Sequence, residues 1–144
     1  MRHARALDRL YGMFEKALSA AHPLLSFLGY ERLERPVALA ERAIKGLLFD
    51  CQMCGQCALS HTGMSCPMNC PKSIRNGPCG GVRADGNCEV LPDMRCVWLE
   101  AYDGNRRIAD PTRAIAINAV PDHRLRGRSS WLRIARGAAE RVHS

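Results

Sequence analysis

The sequence predicts a mainly α-helical fold with irregular loops, in which a small cysteine-rich module is flanked by short amphipathic helices. Apolar residues recur at helical spacing before residue 50, all eight cysteines lie between residues 51 and 96, and glycine and proline interrupt that cysteine-rich stretch throughout. We therefore divide the chain into N-terminal helices (1–46), a cysteine-rich module (47–100) and a basic C-terminal arm with a short helix (101–144).

Apolar residues at helical spacing predict two amphipathic helices ahead of the cysteines. The first occupies residues 4–20 and is closed by His22 and Pro23. Its apolar stripe consists of Leu7, Leu10, Tyr11, Phe14, Ala17 and Leu18. The second begins near Pro36, because proline suits the first position of a helix, and its stripe consists of Val37, Ala40, Ile44, Leu47 and Leu48. We interpret both stripes as core-packing surfaces.

The segment after Cys96 is predicted to be an arm that wraps the surface, with one short helix near 111–118. Ser129 or Ser130 can cap a last helix over residues 131–142. The inner face of that last helix would consist of Trp131, Ile134, Ala135, Ala138 and Val142.

The length of the chain excludes one class of active site. A (β/α)8 barrel needs roughly 250 residues, whereas this chain has 144. We therefore predict that this chain does not contain a barrel-type active site.

The positive charge lies outside the cysteine-rich region. The formal net charge is +7, and residues 101–144 alone carry nine basic and four acidic residues. We interpret the arginine-rich tail as a solvated or partner-facing surface, since no nucleic-acid-binding module accompanies it, and we predict no nucleic-acid partner. No signal peptide or membrane-spanning run is predicted, so we expect a cytoplasmic protein with no membrane partner.

Eight cysteines in a cytoplasmic protein favour metal binding over disulfides, because thiols stay reduced in that compartment. The first three, Cys51, Cys54 and Cys57, form the run CQMCGQC. Structural zinc usually takes two separated pairs of cysteines, whereas a triplet with two-residue gaps suits one face of a cubane iron–sulfur cluster. The triplet therefore predicts an iron–sulfur centre. A zinc-based structural or protein-interaction module without a redox role is the alternative.

The remaining cysteines complete two sets of four. Cys66 and Cys70 stand in a CxxxCP run like that of bacterial ferredoxins, and Cys79 lies within NGPCGG, where glycines let the backbone approach closely. We predict two [4Fe-4S] clusters, the first held by Cys51, Cys54, Cys57 and Cys96 and the second by Cys66, Cys70, Cys79 and Cys88. One cluster with a zinc ion, or zinc alone, is the alternative. His61 would serve as a ligand if one cysteine is free.

Taken together, the stretch CQMCGQCALSHTGMSCPMNCPKSIRNGPCGGVRADGNCEVLPDMRCVW resembles the methylenetetrahydrofolate reductase C-terminal domain family. The similarity covers residues 40–100, and SSWLR at 129–133 resembles a feature of the family's tail. Members of this family occur fused to, or encoded beside, a flavin-dependent methylenetetrahydrofolate reductase.

The resemblance implies a small iron–sulfur accessory subunit in one-carbon metabolism. Such a subunit would pass electrons to, or structurally support, a separate catalytic barrel subunit that carries the flavin. It would form a heteromer with that reductase, and an electron-donor protein would be a further partner. All eight cysteines would be ligands, whereas the catalytic residues would belong to the partner.

Overall fold

A computed structural model describes residues 4–108 and 117–142, with side chains up to residue 137. The described residues contain five α-helices: α1 (Ala4–Ala20), α2 (His22–Leu28), α3 (Tyr30–Phe49), α4 (Val97–Asn105) and α5 (Ser130–Val142). Irregular segments with short 3-10 turns connect them, and β-pairing in the described ranges is limited to isolated bridges. The predicted fold class, mainly α-helical with irregular loops and a cysteine-rich region, is confirmed.

The chain divides into two compact units. One, which we call the helical unit, comprises Leu10–Cys57 and Pro121–Ser144, and the other, the loop unit, comprises Met1–Arg9 and Ala58–Val120. The helical unit contains α2, α3, α5 and the first three cysteines, whereas the loop unit contains α4 and the other five cysteines.

The C-terminal helix α5 forms much of the core of the helical unit. The side chains of Trp131, Leu132 and Ala135 are buried, and the Trp131 ring meets the Phe14 ring edge-on at 4.7 Å between centroids. Ser129 caps the helix, because its Oγ accepts the Leu132 N–H at 3.3 Å. The predicted start is therefore confirmed, as is the burial of Trp131 and Ala135 on the predicted inner face. Ile134 is half-buried, and the side chains of Ala138 and Val142 lie outside the described residues.

The predicted first helix, residues 4–20, is confirmed by α1, but the predicted start of the second helix near Pro36 was wrong. A short helix, α2, begins at His22, and Pro23 occupies its first turn, where a missing N–H costs nothing. Gly29, with φ at +83°, separates α2 from α3. The helix α3 begins at Tyr30, so that Pro36 lies inside it. His22 and Pro23, predicted only to close the first helix, therefore begin a further helix that was not predicted, and the start assigned to Pro36 lies six residues too late.

The interpretation of the α3 stripe as core was also wrong. The buried residues of α3 are Glu41, Lys45 and Phe49, whereas Ile44 and Leu47 are 50% and 88% exposed. A hydrogen-bonded ion pair occupies the inner face, which turns the apolar stripe outward. Leu10 of the α1 stripe is exposed as well. No helix in the described ranges is long and apolar enough to cross a membrane.

The helix α4 was missed by the sequence reading, which treated this segment as an irregular arm. It packs on the loop unit through Val97 and Ala101, which are buried. Its last turn contains Gly104 because the backbone of Gly63, itself in the left-handed region at φ +56°, passes directly against it. The predicted helix near 111–118 lies mostly outside the described residues, and 117–118 are not helical.

We expect Gly104→Ala to destabilise the loop unit by about 1–3 kcal/mol, because the new Cβ would overlap the carbonyl oxygen of Gly63. The midpoint of thermal unfolding, followed by circular dichroism, measures the effect. Gly12→Ala in α1 is the control, since its Cβ would enter open space and alanine favours a helix. An unchanged midpoint for Gly104→Ala would show that the two backbones are not in tight contact.

Candidate metal centre

The first three cysteines lie in a tight loop that follows α3 directly. Asp50 ends the helix in the left-handed conformation, with its N–H bonded to the Gly46 carbonyl oxygen at 3.0 Å. Met53 and Gly55 are also left-handed, at φ +47° and +71°. We call residues 50–57 the triplet loop. Three left-handed residues within so short a segment coil the chain, which keeps the three thiols in one compact structure.

The segment 122–127 holds the triplet loop in place. The Gly127 N–H donates to the Met53 carbonyl oxygen at 2.8 Å, and the Asp122 N–H donates to Gln56 Oε1 at 2.7 Å. A Cβ at Gly55 would overlap the backbone of Leu125. The conformation of the triplet loop is therefore set by protein contacts on both sides of the middle cysteine.

Hydrogen-bond donors surround the sulfur atoms of this loop. The Met53 N–H donates to Cys51 Sγ at 3.4 Å. Lys45 Nζ donates to Cys57 Sγ at 3.4 Å, and the Tyr11 hydroxyl lies 3.2 Å from the same sulfur. The three thiols are half-buried and form no disulfide, and donors lie against two of them, Cys51 and Cys57.

The charged donor, Lys45, belongs to a fully buried ion pair with Glu41. Both residues are 1% exposed, and Lys45 Nζ lies 2.8 Å from Glu41 Oε1 and 2.8 Å from Ser130 Oγ. The rings of Tyr11 and Trp131 each lie 5.3 Å from the ammonium nitrogen. Cation–π contacts and hydrogen bonds thus replace the water that the ammonium gives up on burial.

The carboxylate of Glu41 is bound by the N-terminus of α5. Ser129 Oγ donates to Glu41 Oε2 at 2.7 Å and the Trp131 N–H donates to it at 3.3 Å, and Ser130 Oγ also contacts Glu41 Oε1. The N-terminus of a helix favours a negative charge. We call Glu41, Lys45, Ser129 and Ser130 the buried polar cluster.

The environment of the triplet loop shifts three pKa values. Burial and the neighbouring Cys57 raise the pKa of Tyr11, which keeps the phenol protonated. Burial disfavours the Lys45 ammonium, but Cys57 and Glu41 outweigh burial and raise the pKa of Lys45. Burial raises the pKa of Cys51, and the Met53 N–H partly offsets this. Both Tyr11 and Lys45 therefore keep their protons at neutral pH.

Three of the cysteines in the loop unit lie near sharp turns. Cys66 and Cys70 stand on either side of the 3-10 turn Pro67–Asn69. Cys79 is exposed, and its Sγ accepts the Gly81 N–H at 3.4 Å. This bond repeats the arrangement at Cys51, where a backbone N–H two residues later also meets the sulfur.

The last two cysteines, Cys88 and Cys96, lie on backbone segments that are hydrogen-bonded to each other. The Cys88 N–H donates to the Met94 carbonyl oxygen at 2.8 Å, and the Cys96 N–H donates to that of Gly86 at 3.0 Å. Cys96 belongs to the loop unit and the triplet to the helical unit. The assignment of the eight cysteines to two clusters stays a prediction.

The donor set of the triplet loop fits an iron–sulfur cluster. Three thiols in one loop, none of them in a disulfide, offer soft sulfur donors. A backbone N–H and an ammonium group donate to two of the sulfurs, and the Tyr11 hydroxyl contacts one of these two. The Trp131 Nε1, beside Lys45, is buried without a hydrogen-bond partner among the described residues. Within the described ranges, no three His, Cys, Asp or Glu side chains are grouped as ligands of a single metal ion.

The alternative ligand His61 lies in the loop unit. Its Nδ1 is buried and has no hydrogen-bond partner in the described part of the chain. Whether it binds a metal stays a prediction.

The sequence reading missed the buried polar cluster. Glu41 and Lys45 were not singled out, although their spacing of four residues allows an ion pair on one helix face. Their position just ahead of the triplet is a signal that could have identified them. No pattern in the sequence indicates that Ser129 and Ser130 would meet them, because that contact joins segments almost 90 residues apart.

A comparison with protein families finds one match. The family described as "Methylene-tetrahydrofolate reductase C terminal" matches residues 30–124, a segment that includes α3, the triplet loop and all eight cysteines. No curated protein and no solved structure matches the chain.

We expect Lys45→Met to lower the free energy of unfolding by about 3–5 kcal/mol, because it leaves the Glu41 carboxylate buried without its cation. Denaturant unfolding measures the loss. The double variant Glu41→Leu with Lys45→Met should lose less, since no lone charge remains. Arg124→Ala, in an exposed pair with Asp122, is the control and should change little. Equal stability of Lys45→Met and the native protein would contradict the importance of the pair.

Proposed function

Since the chain belongs to the methylene-tetrahydrofolate reductase C-terminal family, we propose that it is the iron–sulfur accessory subunit of a methylenetetrahydrofolate reductase. In this proposal a separate subunit carries the flavin and reduces the folate substrate. The present chain supplies bound clusters that pass electrons to that flavin or hold the two subunits together.

The observation that carries the proposal is the triplet loop with its sulfur-directed donors. A mononuclear zinc site needs four ligands around one ion, whereas three closely spaced cysteines suit one face of a cubane cluster. Hydrogen bonds to cysteine sulfur are among the controls that proteins use on such clusters. The bonds from Met53, Lys45 and Tyr11 to this loop support that use.

Particular residues would hold the two clusters. Cys51, Cys54 and Cys57, with Cys96, would bind the first, and Cys66, Cys70, Cys79 and Cys88 the second. When bound, a [4Fe-4S] cluster accepts or releases one electron. The chain itself supplies thiolates, backbone N–H donors to Cys51 and Cys79, and a buried cation beside Cys57.

Exposed apolar side chains on α2 and α3 support binding to a partner protein. Phe27 and Leu47 are 87% and 88% exposed, and Leu39 is 68% exposed. Single exposed apolar residues are common, but an apolar series along one helix is typical of an interface. The reductase subunit is the partner that the family membership favours.

A basic cavity next to the triplet loop is a second feature that supports binding to a partner protein. It has a volume of about 400 Å3 and is lined in part by Gly55, Arg128, Arg133 and Arg136, together with one acidic residue, Glu34. The interpretation of the arginine-rich tail as a partner-facing surface agrees with this position. An acidic region of the partner would complement it.

We expect about eight iron and eight sulfide per chain in protein purified without oxygen, because two cubane clusters contain that number. Elemental and sulfide analysis measures the content. Cys57→Ser should lose about half of both, whereas Gln52→Ala, an exposed non-ligand in the same loop, should keep both. Zinc without sulfide in the native protein would contradict the proposal and favour a structural zinc module.

We expect Leu47→Glu to abolish copurification with the reductase subunit when both are expressed together, because a carboxylate would be buried in an apolar interface. Val120→Glu is the matched control, since Val120 is 85% exposed in the loop unit. Analysis of the affinity-purified material for the flavin subunit measures the interaction. Independent migration of the two native chains on gel filtration, with clusters intact, would contradict the heteromer.

A further inference from the structure

We propose that Lys45 and Tyr11 raise the reduction potential of the cluster bound by the triplet loop. They would do so through hydrogen bonds to the sulfur of Cys57, and the residues at the start of α5 hold Lys45 in position for this. The inference rests on the proposed iron–sulfur function. It assigns a role to buried side chains that are not themselves ligands.

Two donors converge on one sulfur. Lys45 Nζ lies 3.4 Å and the Tyr11 hydroxyl 3.2 Å from Cys57 Sγ. A cysteine bound to iron is a thiolate without a proton, so it can only accept. Both contacts must therefore be donations to the sulfur in the cluster-bound protein.

Burial strengthens this effect. Lys45 is 1% and Tyr11 8% exposed, so little solvent screens the charge or competes for the hydrogen bonds. Reduction adds a negative charge to the cluster. Donors and a positive charge next to a ligating sulfur stabilise the reduced state more than the oxidised one, which raises the potential.

Glu41 and Ser130 hold the ammonium in position. Lys45 Nζ bonds to both at 2.8 Å, and Glu41 is in turn bound by Ser129 and the Trp131 N–H. Glu41 balances the formal charge of the pair, but Lys45 is the member that bonds to the sulfur. The serines of α5 are therefore positioning residues that act on the cluster through Lys45.

The test is an anaerobic redox titration of the purified full chain, in which the clusters are followed by electron paramagnetic resonance. We expect Lys45→Gln to lower the midpoint of one cluster signal and leave the other unchanged. Tyr11→Phe should lower the same midpoint by a smaller shift, because a neutral donor is weaker than a charged one. Lys45→Arg should lower the midpoint less than Lys45→Gln, since the positive charge remains although the head group is larger.

Three comparisons separate this inference from alternatives. Lys16→Gln removes an exposed lysine of α1 and should move neither signal. If Lys45→Gln does not fold, Tyr11→Phe and Ser130→Ala test the inference. The inference would be overturned if, at full iron content, the midpoint stayed unchanged both in Tyr11→Phe and in Lys45→Gln, or in Ser130→Ala where Lys45→Gln does not fold. Equal shifts of both cluster signals would overturn it as well. A native protein without iron and sulfide would instead overturn the proposed function.

Discussion

The ion pair between Glu41 and Lys45 is the interaction on which the helical unit depends. Two opposite charges in the interior are costly unless each is surrounded by partners, and here nearly every neighbouring element supplies one: Ser129, Ser130 and the Trp131 N–H from α5, and the Tyr11 ring from α1. The pair therefore fixes the start of α5 against α3. Since the triplet loop follows α3 directly, the same pair also fixes the charge next to Cys57.

This arrangement explains the distribution of apolar residues in the helical unit. A polar pair on the inner face of α3 leaves Ile44 and Leu47 on the outside, where they are 50% and 88% exposed. A unit stabilised by apolar burial alone would place them inside. The exposed apolar surface is thus a direct consequence of placing a cation beside a cysteine sulfur, and it gives the chain a surface that a second protein can cover.

The helical class and the cysteine-rich region could be predicted because both depend on local signals: period, glycine and proline content, and cysteine spacing. The capped start of α5 was predictable for the same reason. The orientation of α3 was not, because periodicity identifies an apolar stripe but cannot show that Glu41 and Lys45 will find partners about 90 residues away. The helix α4 was not predicted. Glycine usually indicates a turn, but Gly104 lies within this helix because the backbone of Gly63 packs directly against it. Which cysteines would bind each proposed cluster depends on the distances between cysteines of different segments, and the spacing of cysteines along the sequence does not give these distances.

The run SSWLR at 129–133 acquires a physical meaning from these contacts. It lies beyond the matched segment 30–124, yet two of its hydroxyl groups and one of its backbone N–H groups complete the hydrogen bonding of the Glu41 carboxylate. Without them the carboxylate would be under-solvated in the interior, and its hold on Lys45 would weaken. A lysine next to a thiolate can influence that sulfur consistently only if its long, flexible side chain is immobilised. The tail helix would therefore contribute to the proposed metal centre by restraining a cation, although it provides no cysteine of its own.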